Sequence, residues 1–308
     1  MSLKLLRSRF LFFSALTGIL FPQTVHTYER VNPNPSASLQ NEHHQTKTIW
    51  FSALDENGKA VRNLVTSELS LYRGSEPLNI QSLRSVDGLS RIIAFIFDTS
   101  GSRKQDKLIP QEIDGSAKFA HGVWRQGDGG FVVVFADDSY FTQKPTTNVE
   151  EIDSGLRAVS HESYRGSSAL YDALCEVRFT DASSKHDKIL VVVSDFEDNS
   201  SRMRIERAIK ILQTDGTRVF ALLPIPRGVG KAEEKKAGQS ASMIAEKTGG
   251  DSFRVKNETD LERAFQQLTS AVLGTYSLNY DEEKALGAGS IVLKTSRPGV
   301  RLLFHASP

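Results

Sequence analysis

"RIIAFIFDTSGSRKQDK", Arg91 to Lys107, begins as an unbroken apolar run and turns polar at a single aspartate. Such a run reads as a parallel strand buried on both faces, since alternation disappears when neither face meets water. Three more runs share the texture: "GGFVVVFAD" from Gly129, "KILVVVSD" from Lys188 and "RVFALLPI" from Arg218. Helical patterns separate them, at residues 107–124, "VEEIDSGLRAV", "SSALYDALCEVRF" from Ser167, and residues 202–213. Residues 231–247 and "DLERAFQQLTSAVL" are helical too, with a short strand, "DSFRV", between them. Strands alternating with helices predict an α/β domain over residues 91–273, doubly wound and Rossmann-like, with a mainly parallel sheet.

The flanks have another texture. "TIWFSALDENGKAVRNL" and "LSLYRGSEPLNIQSL" are short strand patterns broken by turn residues, so residues 46–90 read as a small β unit. The tail, residues 274–308, carries a strand pair around a Gly-rich break, and is expected to pack with that unit because domain termini often lie close together. Ahead of both, residues 1–27 read as an export signal: a short basic start, then "FLFFSALTGILF" from Phe10 to Phe21. That apolar stretch falls short of the ~20 residues of a membrane span and fits a signal core. No clean small-residue cleavage site follows, which leaves both cleavage near residues 23–27 and a retained anchor open. No cysteine follows it, which argues against a lipid anchor. Residues 28–45 are polar and Pro-containing, a linker in which His43 and His44 read as solvated. The expected location is outside the cytoplasm, periplasmic or secreted.

The chain has 308 residues, 39% hydrophobic and 24% charged, with 38 basic against 37 acidic side chains. That balance offers no basic field for nucleic acid. The single cysteine, Cys175, cannot form an internal disulfide and reads as a buried small apolar residue.

Ligand sites of parallel α/β sheets lie at the carboxyl ends of the strands. Two apolar runs end there in an aspartate, Asp98 and Asp195, so both carboxylates should emerge on one edge. "RGSSALYDAL", from Arg165, opens a helix on the same edge and brings Ser168. In "DTSGS", Asp98, Ser100 and Ser102 alternate, and Gly101 lets the backbone fold between the serines. Five oxygen donors suit a hard divalent cation, Mg2+ first, with Mn2+ or Ca2+ also possible. No histidine or thiolate joins the set, which argues against zinc.

These three elements, in this order, resemble the metal-ion-dependent adhesion site of von Willebrand factor type A domains. The wording is similar to the bacterial VWFA-related, acidobacterial-type subfamily, in which an export signal and a β lead-in precede the domain and a strand pair closes it. The resemblance implies that Ser100 and Ser102 bind the metal directly, and that Asp98 and Asp195 act mainly through water. Ser168 stands where the family usually has threonine, keeping the hydroxyl but losing the stiffening methyl. Phe196 stands where the family commonly has glycine. The implied function is that of a non-catalytic binding module whose cation accepts a Glu or Asp side chain from a partner protein. Arg103, Arg165, Phe196 and Glu197 are the expected rim of that contact, with Asp172 supporting the site from behind.

Two other classes remain open on the residues alone. One is a phosphohydrolase with Asp98 as nucleophile. Against it, Ser100 stands where a second carboxylate is wanted, and no histidine lies near the motif. "GVGK" at Gly228 lacks the glycine and hydroxyl of a phosphate loop, so no small-molecule substrate is indicated. The other is an assembly protein with a degenerate metal site, an idea kept open by Phe196.

Overall fold

Six strands assemble around the apolar run that begins at Arg91. The computed structural model describes residues 45–305, apart from 88, 178, 180–185, 227 and 283–288. The expected export signal, the linker up to 44, and His43 and His44 lie outside the described residues. In chain order the elements begin β1 (Gln45–Leu54), β2 (Leu69–Arg73), β3 (Glu76–Leu78), β4 (Ile80–Ser85), β5 (Arg91–Asp98) and α1 (Ile109–Val123). They continue β6 (Gly129–Phe135), β7 (Ser139–Thr146), α2 (Val149–Ala158), α3 (Leu170–Glu176), β8 (Asp187–Val193) and α4 (Ile205–Thr214). The remainder are β9 (Thr217–Pro224), α5 (Lys231–Thr248), β10 (Ser252–Val255), α6 (Glu258–Leu273), β11 (Thr275–Glu282), β12 (Ile291–Thr295) and β13 (Arg301–Phe304).

The central sheet has the order β10-β9-β8-β5-β6-β7. All its pairs are parallel except the last, where β7 runs antiparallel to β6. Alternate residues of each strand serve opposite faces. Ile93, Phe95 and Phe97 of β5 join one core with α1, α2 and α6, while Ala94 and Ile96 join a second core with α3, α4 and α5. The domain is therefore doubly wound, with helices on both faces of a mainly parallel sheet, and its strands lack alternation because both faces are buried. The pattern at 107–124 gives α1, with Pro110 in the first turn where its missing N–H costs nothing. The antiparallel edge strand β7 was not expected. Its mixed burial and its proline, Pro145, hide it from a search for buried runs.

The flanking strands build two further sheets. One has the order β13-β1-β11-β4 and the other β12-β2-β3. The tail thus contributes three strands rather than a pair, shared between the sheets. Their common core includes Phe51 stacked on Tyr276, with ring centroids 5.3 Å apart. Tyr276 Oη accepts from Leu64 N at 3.0 Å and donates to Val61 O at 2.9 Å, tying the loop after β1 to β11.

The four-stranded flanking sheet joins the central one at the amino ends of strands β8 and β9. Arg218, near the start of β9, is 2% exposed and pairs with Asp187, the first residue of β8, at 2.6 Å. Its guanidinium also donates to Ser52 Oγ of β1 at 2.7 Å and Thr275 Oγ1 of β11 at 2.9 Å. A buried guanidinium needs such saturation, since each unmet donor carries a desolvation cost.

Candidate metal site at the strand ends

Strand pairing sets the site. Phe97 is in register with Val193, which brings Ser194 beside Asp98. Ser194 Oγ donates to Asp98 Oδ2 at 2.6 Å, and Ser100 N donates to Asp98 Oδ1 at 2.9 Å. The second bond turns the chain just after the strand, and the hydroxyls of Ser100 and Ser102 then lie 3.0 Å apart. Asp98 and Ser100 are buried, while Ser102 faces solvent.

The loop that brings Ser168 is stitched to this turn through the backbone. Gly101 N donates to Gly166 O and Arg165 N to Thr99 O, both at 3.0 Å. A Cβ on Gly101 would lie 3.3 Å from Gly166 O, so the absence of a side chain permits the approach. Gly166 itself has φ +85, and a Cβ there would come within 2.2 Å of Asp137 Oδ2. Asp137 follows β6 and accepts Ser167 N at 2.9 Å through its other oxygen, so it shapes this turn. Ser168 is 1% exposed, and its Oγ has no hydrogen-bond partner among the described residues. A buried hydroxyl left in that state costs about 1–3 kcal/mol. Asp195 is 7% exposed and accepts Glu197 N at 3.1 Å.

The electrostatics point the same way. Burial pushes the Asp98 carboxyl upward, and the nearby Asp195 carboxylate adds to that; Arg103 and the bonds from Ser100 and Ser194 pull against it. Glu197 is raised as well, by burial first, then by Asp195 and Glu233. Carboxylates gathered with uncharged hydroxyls, one of them orphaned, form an all-oxygen donor set that fits a hard divalent cation.

Two of the expected rim residues are not at the rim. Arg103 is 1% exposed and points inward, where its Nη2 meets Glu112 Oε2 at 2.5 Å and Asp106 Oδ2 at 3.1 Å. Its charge is spent beneath the loop that carries Ser100 and Ser102, because the side chains of Asp106 and Glu112 close over it. Phe196 is 2% exposed, and its ring belongs to the core that includes Leu170, Leu174 and Ile209. Its φ of +55 is unusual for a residue with a bulky side chain, and this turn sends the ring inward instead of toward a partner. Arg165 and Glu197 are exposed. Asp172 accepts Arg202 N and Met203 N, at 3.0 and 2.8 Å, and so acts on the loop after β8 rather than on the oxygen cluster itself.

Ser194, Asp137 and Asn199 were missed by sequence reasoning. Ser194 hides inside an apolar run, and its role depends on cross-strand register. Asn199, whose Oδ1 accepts Ser168 N at 2.9 Å, sits in a polar stretch with no spacing to mark it.

No family model matches the sequence, and no curated protein matches it. The chain is similar to several solved structures. A von Willebrand factor type A protein from Catenulispora acidiphila shares 13% identity over 89% of this chain and 75% of that one, with a TM-score of 0.49. An aerotolerance-related membrane protein from Bacteroides fragilis shares 18% identity over 58% of this chain and 98% of that one, with a TM-score of 0.44. The pilus adhesin SpaC from Lactobacillus rhamnosus GG shares 9% identity over 80% of this chain and 48% of that one, with a TM-score of 0.48.

Proposed function

We propose that this chain is an exported, non-catalytic protein-binding module of the von Willebrand factor type A kind, working through a divalent cation at the strand ends. Asp98, Ser100, Ser102, Ser168 and Asp195 would hold the cation, with Mg2+ the favoured ion. The observation that carries the reading is the Ser168 hydroxyl. It is buried and without a partner, on a loop stitched to the turn bearing Ser100 and Ser102. When bound, the cation supplies an exchangeable position for a carboxylate from a partner. The chain's own residues orient that contact. Asp98 is fixed by Ser194 and Ser100, and the exposed Arg165 and Glu197 flank the approach.

The non-catalytic reading rests on the motif. A hydroxyl, Ser100, occupies the position where a phosphoryl-transfer aspartate would want its acid partner. Export rests on the apolar stretch from Phe10 to Phe21. Calorimetric titration with Mg2+ and Mn2+ tests the site. Saturable heat and a rise in thermal midpoint are expected, both lost in Asp98→Asn. No heat from native protein would remove the adhesive reading. Mg2+-dependent turnover of a phosphomonoester, abolished by the same substitution, would replace it with the enzymatic one.

A further inference from the structure

The segment after Asp195 and the start of α3 are bonded to each other in both directions. Ser168 N donates to Asn199 Oδ1 at 2.9 Å, and Asn199 N and Ser200 N both return to Ser168 O at 3.1 Å. Tyr171 N donates to Asp198 Oδ2 and Asp172 N to Ser201 Oγ, each at 3.1 Å. In the other direction, the Asp172 carboxylate takes Met203 N at 2.8 Å on Oδ1 and Arg202 N at 3.0 Å on Oδ2. The two partners need each other. α3 has seven residues and starts after Ala169, which offers no side-chain cap, so its first N–H groups are met by the incoming segment. Arg202 and Met203 in turn are exposed, and the carboxylate gives their amides a charged acceptor.

The clasp joins two arms of the oxygen cluster that come from separate loops. Ser168 has both backbone polar groups committed to residues 199 and 200, and its Oγ is held by nothing among the described residues. Asp195 lies a few residues upstream on the same segment. We propose that Asp172 is a positioning residue of the metal site: by clasping residues 198–203 onto α3 it fixes the distance between Ser168 and Asp195. The assignment rests on the cation reading above. It gives Asp172 a part in metal binding without contact to the metal.

Mn2+ titration of the full-length chain, followed by electron paramagnetic resonance and water-proton relaxation, tests the clasp. Native protein is titrated first. Removing a residue that orients a metal ligand typically weakens binding ~10–100-fold, so Asp172→Ala should bind Mn2+ about tenfold more weakly and carry one additional exchangeable water. Asp172→Asn keeps an acceptor oxygen for the two amides and should stay within about threefold of native. Ser168→Ala should show the same extra water, and the Asp172→Ala/Ser168→Ala double variant should be no weaker than Ser168→Ala alone, because both act through one ligand. Native-like Mn2+ binding by Asp172→Ala, or losses that add in the double variant, would overturn the clasp and leave the cation reading standing. Equal weakening by Asp172→Asn and Asp172→Ala would also overturn it, since the charge rather than the hydrogen bonds would then be acting. Absence of Mn2+ binding by native protein would overturn both.

Discussion

Phe196 offers a test in which the usual order of two substitutions should reverse. The residue combines a φ of +55 with a ring that is 2% exposed. The left-handed conformation costs a residue with a Cβ about 1–2 kcal/mol, and removing a buried phenylalanine ring costs about 3–5 kcal/mol. Phe196→Ala loses the ring and keeps the backbone penalty, so it should be destabilised by about 3–4 kcal/mol. Phe196→Gly loses the same ring but relieves the strain. At ordinary positions glycine is worse than alanine by about 0.5–1 kcal/mol, because it frees the unfolded chain. Here the relief offsets that entropy, and Phe196→Gly should match Phe196→Ala or exceed it by about 1 kcal/mol. Urea unfolding at constant m-value reads the difference directly. A glycine variant clearly less stable than the alanine variant would mean that the turn after Asp195 is not left-handed in solution. The inward course of the ring would then need another explanation. Both variants keep the backbone N–H that Phe196 donates to Ser194 Oγ at 2.9 Å, and that hydroxyl holds Asp98, so divalent binding should change less than stability does.

Three further outcomes follow from the buried polar groups. Ser168→Ala removes an unpartnered buried hydroxyl, so metal-free protein should become more stable by about 1 kcal/mol, while the rise in thermal midpoint on adding Mg2+ shrinks; a loss of metal-free stability would contradict this. Glu112, pushed up to about 7 mainly by burial, binds its proton more tightly in the fold than in the unfolded chain, where it titrates near 4.5. Its contribution is complete below the unfolded value and is lost as pH rises toward 7, by up to ~3 kcal/mol, and Glu112→Gln should flatten that slope in unfolding curves taken from pH 4.5 to 8. His305 behaves in the opposite sense: burial, then Lys210, lower it to about 4, so the fold favours the neutral ring and loses stability as pH falls from 6.5 toward 4. Partial exposure of the ring limits the effect to the order of 1 kcal/mol, and His305→Gln should remove it.

The fold was legible because its strands are buried on both faces, and such strands write themselves as apolar runs. The shared position of the two aspartates was legible for a related reason: Asp98 and Asp195 follow apolar runs that pair in parallel, so both lie at the same edge of the sheet. What the sequence concealed depends on geometry across the sheet. Arg103 looks like a loop charge until Asp106 and Glu112 are seen to close over it. Phe196 looks like a rim residue until its backbone angle is known. The helix expected from Ser167 starts at Leu170, because Ser168 gives its amide to Asn199 and Ala169 gives its own to Ala136 O. The helix expected from residue 202 starts at Ile205, because Arg202 and Met203 donate to Asp172. In each case a side chain or loop distant in sequence takes a backbone group that the local pattern would have assigned to a helix.

The flanking sheet has a consequence for synthesis. β1 lies between β11 and β13, so both neighbours of the first described strand are made more than 200 residues later; Thr48 and Asn279, which bond across that pair, are 231 positions apart. As the chain emerges from the ribosome, the parallel sheet can condense around β5 and β8 while β1 still waits for a neighbour. Closing so long a loop is slow and leaves an apolar strand edge bare in the meantime. The seam between head and tail is thus the last to be sewn, and a nascent chain stalled before residue 275 would display Ile49, Phe51 and Ala53 to whatever chaperone meets it first.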